Sequence, residues 1–205
     1  VEEKYYKEFL GDINSEIDRM TGLVEDLLLI SKMDSDIAVL HSESNDISQI
    51  IKKIVTSLKL VAERKNVAVN NFATEECVVW CDYSKVYQAI YNLVENAIKY
   101  SKNNGNVKIT LSKNNEEICV SVSDDGIGIP QANLPHIFER FYRVNKARDR
   151  ESGGNGLGLH IVQKIALMHG GRVEVVSKEG EGSTFMLYLP LNFPANEENS
   201  YEKQS

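Results

Sequence analysis

Two asparagines spaced four residues apart are the first feature of the sequence that points to chemistry. Asn92 and Asn96 lie in the segment Asn92–Ser101, which has the apolar periodicity of an α-helix. Because residues four apart share one face of a helix, both amides should project in the same direction. Amide oxygens are ligands for Mg²⁺, and Lys99 and Tyr100 add a cation and a hydroxyl at the same rim. The segment predicts a pocket for a metal-bound polyphosphate, although such a pair can also arise by chance.

A second candidate, Asp124–Pro130, has the sequence Asp-Asp-Gly-Ile-Gly-Ile-Pro and follows a predicted strand. The Asp124 carboxylate at the end of that strand can accept a hydrogen bond from an exocyclic amine. Gly126 and Gly128 would allow the backbone to turn sharply against a flat ligand. The alternative interpretation is an ordinary Asp-Gly turn.

A third candidate, Gly153–His160, is rich in glycine and opens a predicted helix. Backbone N–H groups at a helix N-terminus form an anion site that the helix dipole strengthens. The alternative, a flexible hinge, does not explain why Leu157 and Leu159 alternate with glycine. The intervening segment Phe138–Arg143 offers aromatic rings that could anchor a mobile segment and arginines that could reach a phosphate. Its alternative interpretation is a buried aromatic cluster with solvated charges.

The helices that must position these segments are predicted from apolar periodicity and capping residues. A heptad-like spacing over residues 3–33 predicts one long helix whose apolar stripe needs a partner. A polar linker should follow as far as Asn45. Asp46 and Asp82 are predicted N-caps, the first of a helix that ends near Asn66 and the second of the helix with the asparagine pair.

Alternating apolar residues predict short strands around these helices. The predicted strands cover residues 67–72, 78–80, 107–111, 118–122, 172–177 and 183–189. Two further helices are predicted at residues 131–138 and at about 156–169. Because strands and helices mix without a regular βαβ alternation, the sequence predicts an α+β fold, an α/β sandwich with one mixed sheet and helices on one face.

Composition limits the possible functions. The chain has 205 residues with 42% hydrophobic residues, enough for one domain and an appendage. Its net charge of −7 disfavours nucleic acid as a partner. No apolar run reaches the ~20 residues of a membrane span, and the three cysteines lack metal-type spacing. Since the chain begins with Val in the middle of a predicted helix, we expect it to be a piece of a longer protein.

In this order and spacing, the segments resemble the ATP-binding domain of sensor histidine kinases. Asn92–Ser101 is similar to the family's N box, Asp124–Pro130 to its first glycine box, and Phe138–Arg143 to its F box. Gly154–Leu159 is similar to the second glycine box, and Gly180–Phe185 to the last glycine–threonine motif. The resemblance implies a Bergerat-type ATP-binding fold, which agrees with the predicted sandwich.

The resemblance also implies ATP and Mg²⁺ as cofactors and assigns roles to single residues. Asn96 would coordinate Mg²⁺, Asp124 would bond the adenine amine, and Asn92 and Lys99 would complete the catalytic set. Near the base, the implied contacts are Gly126, Gly128 and Ile129, with Thr184 supporting Asp124. Tyr100 would lie beside the ribose and phosphates, and Arg143 would reach the phosphates from a lid over residues 139–155. The implied backbone contacts with the phosphates come from Gly154, Gly156, Leu157, Gly158 and Leu159.

One position separates the subclasses of this superfamily. Its ATPases carry a glutamate where Asn92 stands, and that glutamate activates water. An asparagine cannot act as this base. The resemblance therefore implies transfer of the γ-phosphoryl group to a protein acceptor with little hydrolysis.

The implied layout has four parts. Residues 1–36 would be the second helix of a dimerisation and phosphoacceptor hairpin, 37–46 a linker, 47–191 the catalytic domain, and 192–205 a disordered tail. In this family the phosphoacceptor histidine is expected in the motif His-Glu-x-x-Thr-Pro or a close variant. None of the four histidines lies in such a motif, so this chain should not phosphorylate itself. The implied partners are a response-regulator receiver domain and the phosphoacceptor helix of the same or a partner subunit. The whole protein would be a homodimer, with this chain a cytoplasmic portion of a membrane-anchored sensor kinase.

Two other functions remain open. One is a different enzyme of the same superfamily, an ATPase or a serine kinase. A serine kinase would usually lack the long N-terminal helix. The other is a module that dimerises through residues 1–33 and has a degenerate nucleotide site, which the intact Asn96 and Asp124 disfavour.

Overall fold

The computed structural model describes residues 2–34, 39–144 and 155–191. Its helices are α1 (Glu2–Asp34), α2 (Ile47–Arg64), α3 (Tyr83–Tyr100) and α4 (Gly158–Met168), with a 3₁₀ helix at Gln131–His136. Its strands are β1 (Ser42–Asp46), β2 (Ala68–Asn71), β3 (Val78–Asp82), β4 (Asn106–Lys113), β5 (Glu117–Asp124), β6 (Arg172–Lys178) and β7 (Gly182–Pro190).

Five strands form one mixed sheet in the order β2-β4-β5-β7-β6. The β2–β4 pair is parallel, and the other neighbours are antiparallel. Helices α2, α3 and α4 contact this sheet through the fully buried side chains that alternate along its strands, such as Val120 and Val122 of β5. The opposite face of the sheet is more exposed, as Val176 at 67% illustrates. The predicted α+β fold with a mixed sheet is confirmed.

Local sequence explains where helices α2 and α3 begin. The Asp46 carboxylate accepts a hydrogen bond from the Ser48 N–H at 2.9 Å and starts α2. The Asp82 carboxylate accepts one from the Lys85 N–H at 3.2 Å and starts α3. Both predicted caps are confirmed. The apolar faces of these helices are buried against the sheet and each other.

The predicted polar linker contains a strand. Residues of β1 pair antiparallel with β3, with Ser44 opposite Trp80. The sequence does not reveal this strand because its side chains are polar and none is fully buried, so it lacks the apolar alternation of a strand. The backbone ladder holds it, and the Asn45 amide also donates to the Cys81 carbonyl at 3.0 Å. Helix α4 also begins later than predicted, at Gly158, since Gly156 has φ +69°, which an α-helix cannot contain.

The long helix α1 meets the rest of the fold at its C-terminal end. Its Ile30 and Met33 are buried, and the Asp34 carboxylate pairs with Lys164 at 2.8 Å and with Arg140. Other apolar side chains of the predicted stripe are exposed, among them Ile17 at 54%. Among the residues that the structure describes, no helix combines the length and apolar character that crossing a bilayer requires.

One buried histidine joins three elements behind the site. His169 follows α4, and its Nδ1 lies 2.8 Å from the Ile165 carbonyl oxygen, to which it donates. Its Nε2 accepts a hydrogen bond from the Asp82 N–H at 3.1 Å, where β3 turns into α3. Burial lowers the pKa of His169. The neutral ring is therefore the form that fits, because a protonated Nε2 could not accept this bond.

We expect His169 to make folding stability depend on pH. Because its folded pKa is lowered, the unfolded chain binds more protons, and stability is lost as the pH falls below the ordinary histidine value of about 6.5. In denaturant titrations at several pH values, His169→Gln should flatten this slope and cost about 1–3 kcal/mol at pH 7. The half-exposed His136 provides the control His136→Gln, and equal slopes in both variants would contradict the assignment.

Candidate active site

A pocket of about 360 Å³ opens between α3, the loop after β5 and the start of α4. Most of the predicted site residues line it. They are Asn92, Asn96, Lys99, Tyr100, Asp124, Gly128, Ile129, Arg143, Gly156, Gly158 and Leu159. Gly126, Leu157 and Thr184 do not line it, and Gly154 lies outside the described residues, as do positions 145–153 of the predicted lid.

Helix α3 spans the pocket from one end to the other. Near its middle, the Asn92 amide donates to the Gly158 carbonyl oxygen at 3.3 Å, which ties α3 to the first turn of α4. At its end, the Tyr100 carbonyl accepts from the Ile127 N–H at 3.2 Å, which ties α3 to the loop after Asp124. These two junctions are eight residues apart, or about 12 Å along a helix. The pocket can therefore hold an elongated ligand along α3.

The carboxylate of Asp124 lies at the C-terminal end of α3. Its Oδ1 accepts from the Gly126 N–H at 2.8 Å, and the Ser183 N–H also bonds it. Burial and the neighbouring Asp125 raise the pKa of Asp124, while these hydrogen bonds and the charge of Lys65 oppose the rise. A carboxylate whose position is fixed by backbone hydrogen bonds can accept a further hydrogen bond from an amine of a ligand.

Two glycines let this loop approach its neighbours closely. A Cβ on Gly126 would lie 2.1 Å from the Tyr100 carbonyl oxygen, so only glycine fits against the end of α3. Gly128 has φ +63°, and its Cβ would lie 2.0 Å from the Lys178 carbonyl oxygen. We predicted that Gly126 brings the backbone close to a flat ligand, but in the structure its close neighbour is α3.

Two predicted residues point away from the pocket. The Leu157 side chain is fully buried in the core, which anchors the start of α4. The Thr184 hydroxyl lies 2.9 Å from the Ser123 hydroxyl, on the strand face opposite the pocket. Because side chains alternate along a strand, the neighbouring residues Ser183 and Phe185 line the pocket instead, and Ser183 lies opposite Asp124.

Two acidic residues that the sequence analysis did not select also line the pocket, Glu95 and Asp26. Desolvation raises the pKa of Glu95, and Lys99 and a hydrogen bond from Tyr91 oppose the rise. Desolvation and then Glu95 raise the pKa of Asp26. Glu95 could have been found, because positions 92, 95, 96 and 99 share one helical face. Asp26 comes from α1, and no local pattern connects it with the pocket.

The segment Phe138–Arg143 closes one side of the pocket. Tyr142 lines it, and its hydroxyl accepts from the Asn133 amide at 2.6 Å. Arg143 also lines the pocket, whereas Arg140 pairs with Asp34 and donates to His160 Nε2 at 3.0 Å. Of the two arginines considered for a phosphate, the structure therefore brings only Arg143 to the site.

The wall also contains a buried polar atom that accepts no hydrogen bond from any residue that the structure describes. Asn155 lines the pocket, and its Oδ1 has no donor among the described residues. Apolar side chains of Ile129, Ile137 and Phe185 line the pocket as well. The pocket thus combines an apolar wall, a carboxylate acceptor and amide groups with a helix N-terminus. This arrangement can hold a flat heterocycle joined to a polyanion.

Comparisons with known proteins agree with this geometry. Residues 81–192 match the sequence model of the family described as histidine kinase-, DNA gyrase B-, and HSP90-like ATPase. The sensor histidine kinase WalK of Bacillus subtilis is 38% identical over 184 residues, which cover 89% of this chain and 30% of that protein. The sensor-like histidine kinase SenX3 of Mycolicibacterium smegmatis is 34% identical, covering 97% of this chain and 51% of that protein.

Solved structures show the same fold. Full-length ShkA, crystallised with AMPPNP, has a TM-score of 0.75 and 25% identity over 87% of this chain and 37% of its own. ThkA, crystallised with the response regulator TrrA, has a TM-score of 0.72 and 24% identity over 91% of this chain and 51% of its own. The chain spans about a third to a half of the length of the curated relatives named above.

The contact between Gly126 and α3 gives a direct test of the site's geometry. Gly126→Ala should cost at least about 2 kcal/mol, because the added methyl group meets backbone atoms that cannot move aside. Gly22→Ala is the matched control, since nothing lies within 4 Å of its added Cβ. Thermal unfolding of both variants measures the difference. Equal midpoints would contradict the close approach of the loop to α3.

Proposed function

Because this chain belongs to the histidine kinase-, DNA gyrase B- and HSP90-like ATPase family, as a catalytic domain of the sensor histidine kinase type, we propose that it binds Mg²⁺-ATP and transfers the γ-phosphoryl group to a protein histidine. The observation that carries the proposal is the spacing along α3. Asn92 at the start of α4 and Tyr100 at the Asp124 loop are eight residues apart, or about 12 Å along the helix, which is the order of length that joins a base to its phosphates.

Adenine would lie against the loop after β5. The Asp124 carboxylate would accept the exocyclic amine, and Ile129 and Phe185 would contact the ring. Gly128, whose φ of +63° and close contact with the Lys178 carbonyl oxygen require glycine, would shape the loop beside the base. Ser183 takes the supporting position that we first assigned to Thr184, because it lies opposite Asp124 in the β5–β7 ladder.

The phosphates would lie toward Asn92 and the start of α4. The N–H groups of the first turn, after Gly156, would bind phosphate oxygens, and Arg143 and Lys99 would neutralise charge. The oxygen groups of Asn96 and Glu95, together with the acceptor on Asn155, fit a hard cation bound to phosphates. When bound, Mg²⁺ would withdraw charge from the phosphate oxygens.

Phosphoryl transfer is favoured over hydrolysis by the residue at position 92. The Asn92 amide donates to the Gly158 carbonyl, so it aligns α4, and an amide cannot take a proton from water. In the proposed reaction, the bond between the γ-phosphorus and the β–γ bridging oxygen breaks, a bond from phosphorus to a histidine nitrogen forms, and ADP leaves. The pocket contributes position and charge neutralisation.

The acceptor and the later partner are part of the same proposal. We assign the acceptor histidine to a helix that pairs with α1 in a homodimer, and the next acceptor to an aspartate of a response-regulator receiver domain. The exposed apolar side chains of α1 support a helix pairing there. The whole protein would be a membrane-anchored sensor kinase, with this chain on the cytoplasmic side.

Asn96 should be essential for metal-dependent binding. In calorimetric titrations with a non-hydrolysable ATP analogue, the parent chain should bind with Mg²⁺ and much more weakly with EDTA. Asn96→Ala should weaken the Mg²⁺-dependent binding by at least about tenfold, as expected for a lost charge-assisted contact. The exposed Asn103 provides the control Asn103→Ala. Equal affinities of the two variants would contradict the role of Asn96.

The chain itself should not accept the phosphoryl group. None of its four histidines lies in a phosphoacceptor motif, and three of them have other contacts. His169 is buried, His160 bonds Phe138 and Arg140, and His136 bonds Glu139. With γ-labelled ATP and Mg²⁺, we expect no acid-labile phosphohistidine in the chain and little release of phosphate. Labelled histidine would disprove the first expectation. Rapid phosphate release that Glu95→Gln abolishes would instead favour an ATPase with Glu95 as the base.

A further inference from the structure

The C-terminal end of α3 is capped by the ammonium group of Lys65, the residue that directly follows α2. The last four carbonyls of a helix lack partners within it. Here the Ser101 N–H bonds the Ala97 carbonyl at 3.0 Å, and the Ile127 N–H bonds that of Tyr100 at 3.2 Å. The other two carbonyls, of Ile98 and Lys99, accept from the ammonium group of Lys65. A side chain that follows α2 thus completes the end of the site helix.

Lys65 lies outside every segment that the sequence analysis connected with the nucleotide. It is the residue that ends α2, and it is half-buried. Its ammonium donates to the Ile98 carbonyl at 2.9 Å, and its charge interacts with that of the Asp124 carboxylate. A cation at this position is favoured by the negative end of the α3 dipole as well as by the carboxylate.

We propose that Lys65 is a positioning residue of the nucleotide site, which fixes the end of α3 against the Asp124 loop. It does so through the carbonyls of Ile98 and Lys99, and its positive charge acts on the Asp124 carboxylate. The inference rests on the proposed function, because it assigns Asp124 to the adenine. Lys65 itself does not line the pocket, so its effect must pass through α3 and Asp124.

The structure explains why one lysine can affect both walls of the site. Lys99 and Tyr100 line the pocket from the last turn of α3, the turn whose carbonyls Lys65 holds. Gly126 lies against the Tyr100 carbonyl on the other side of that turn. Loss of the ammonium would remove its hydrogen bonds to two part-buried carbonyls and would remove the cation that opposes the effect of Asp125 on Asp124.

The test is the pH dependence of binding. Titrations of a non-hydrolysable ATP analogue with Mg²⁺ between pH 5 and pH 8 compare the parent chain with Lys65→Met. We expect roughly tenfold weaker binding at pH 7, the size expected for lost hydrogen bonds to a charged group. The pH at which binding is half lost should also move upward, because Asp124 then protonates more readily. Lys65→Arg, which keeps the cation and the donors, should restore the parent profile.

A purely structural role gives a different result. Loosening of the helix end would weaken binding equally at all pH values and leave the midpoint unchanged. Lys59→Met is the matched control, since Lys59 is on the same helix with its side chain 72% exposed. Thermal unfolding shows that each variant is folded, and Lys65→Gln replaces Lys65→Met if that variant does not fold.

The possible failures are distinguishable. A parent chain that binds no analogue at any pH contradicts the proposed function and the inference with it. A parent chain that binds, combined with a Lys65→Met variant of the same affinity and the same midpoint, contradicts the inference alone.

Discussion

The fold depends on the contact between the end of α3 and the loop that follows β5. The Tyr100 carbonyl accepts from Ile127, and Gly126 has no room for a side chain against it. This contact joins the helix with the asparagine pair to the strand with the carboxylate. The parallel contact at the other end, from Asn92 to Gly158, joins the same helix to α4. The pocket is the space that these two junctions leave between three elements.

Helix α1 contributes to the pocket and to its border. Its Asp26 lines the pocket, and its Asp34 pairs with Arg140 and Lys164, on the segment and the helix that border the site. A movement of α1 would therefore change the charge at the pocket as well as the contacts of its border. Two carboxylates, Asp26 and Glu95, face a ligand that is itself strongly anionic. Protonation of either carboxyl group would reduce this repulsion. Because both pKa values are raised, protonation occurs at a higher pH than for an exposed carboxyl group.

The parts of the site that the sequence predicts are those set by local rules. The i, i+4 spacing of Asn92 and Asn96 places both amides in the pocket, and the caps at Asp46 and Asp82 start the helices where predicted. Strand β1 is missed because its side chains are polar and show no apolar alternation. Thr184 is one residue away from the pocket-lining Ser183 because the strand register is set by distant neighbours. Asp26 reaches the pocket, and Lys65 reaches the end of α3, only through tertiary packing, which no local pattern encodes.

The central claim is that α3 spans the nucleotide, with the base at its C-terminal end and the phosphates at Asn92. A crystal structure of the chain with Mg²⁺ and a non-hydrolysable ATP analogue tests it most directly. We predict that the adenine amine bonds Asp124 and that the phosphates lie between Asn96 and the first turn of α4. A nucleotide bound in the reverse direction, or outside this pocket, would contradict the account.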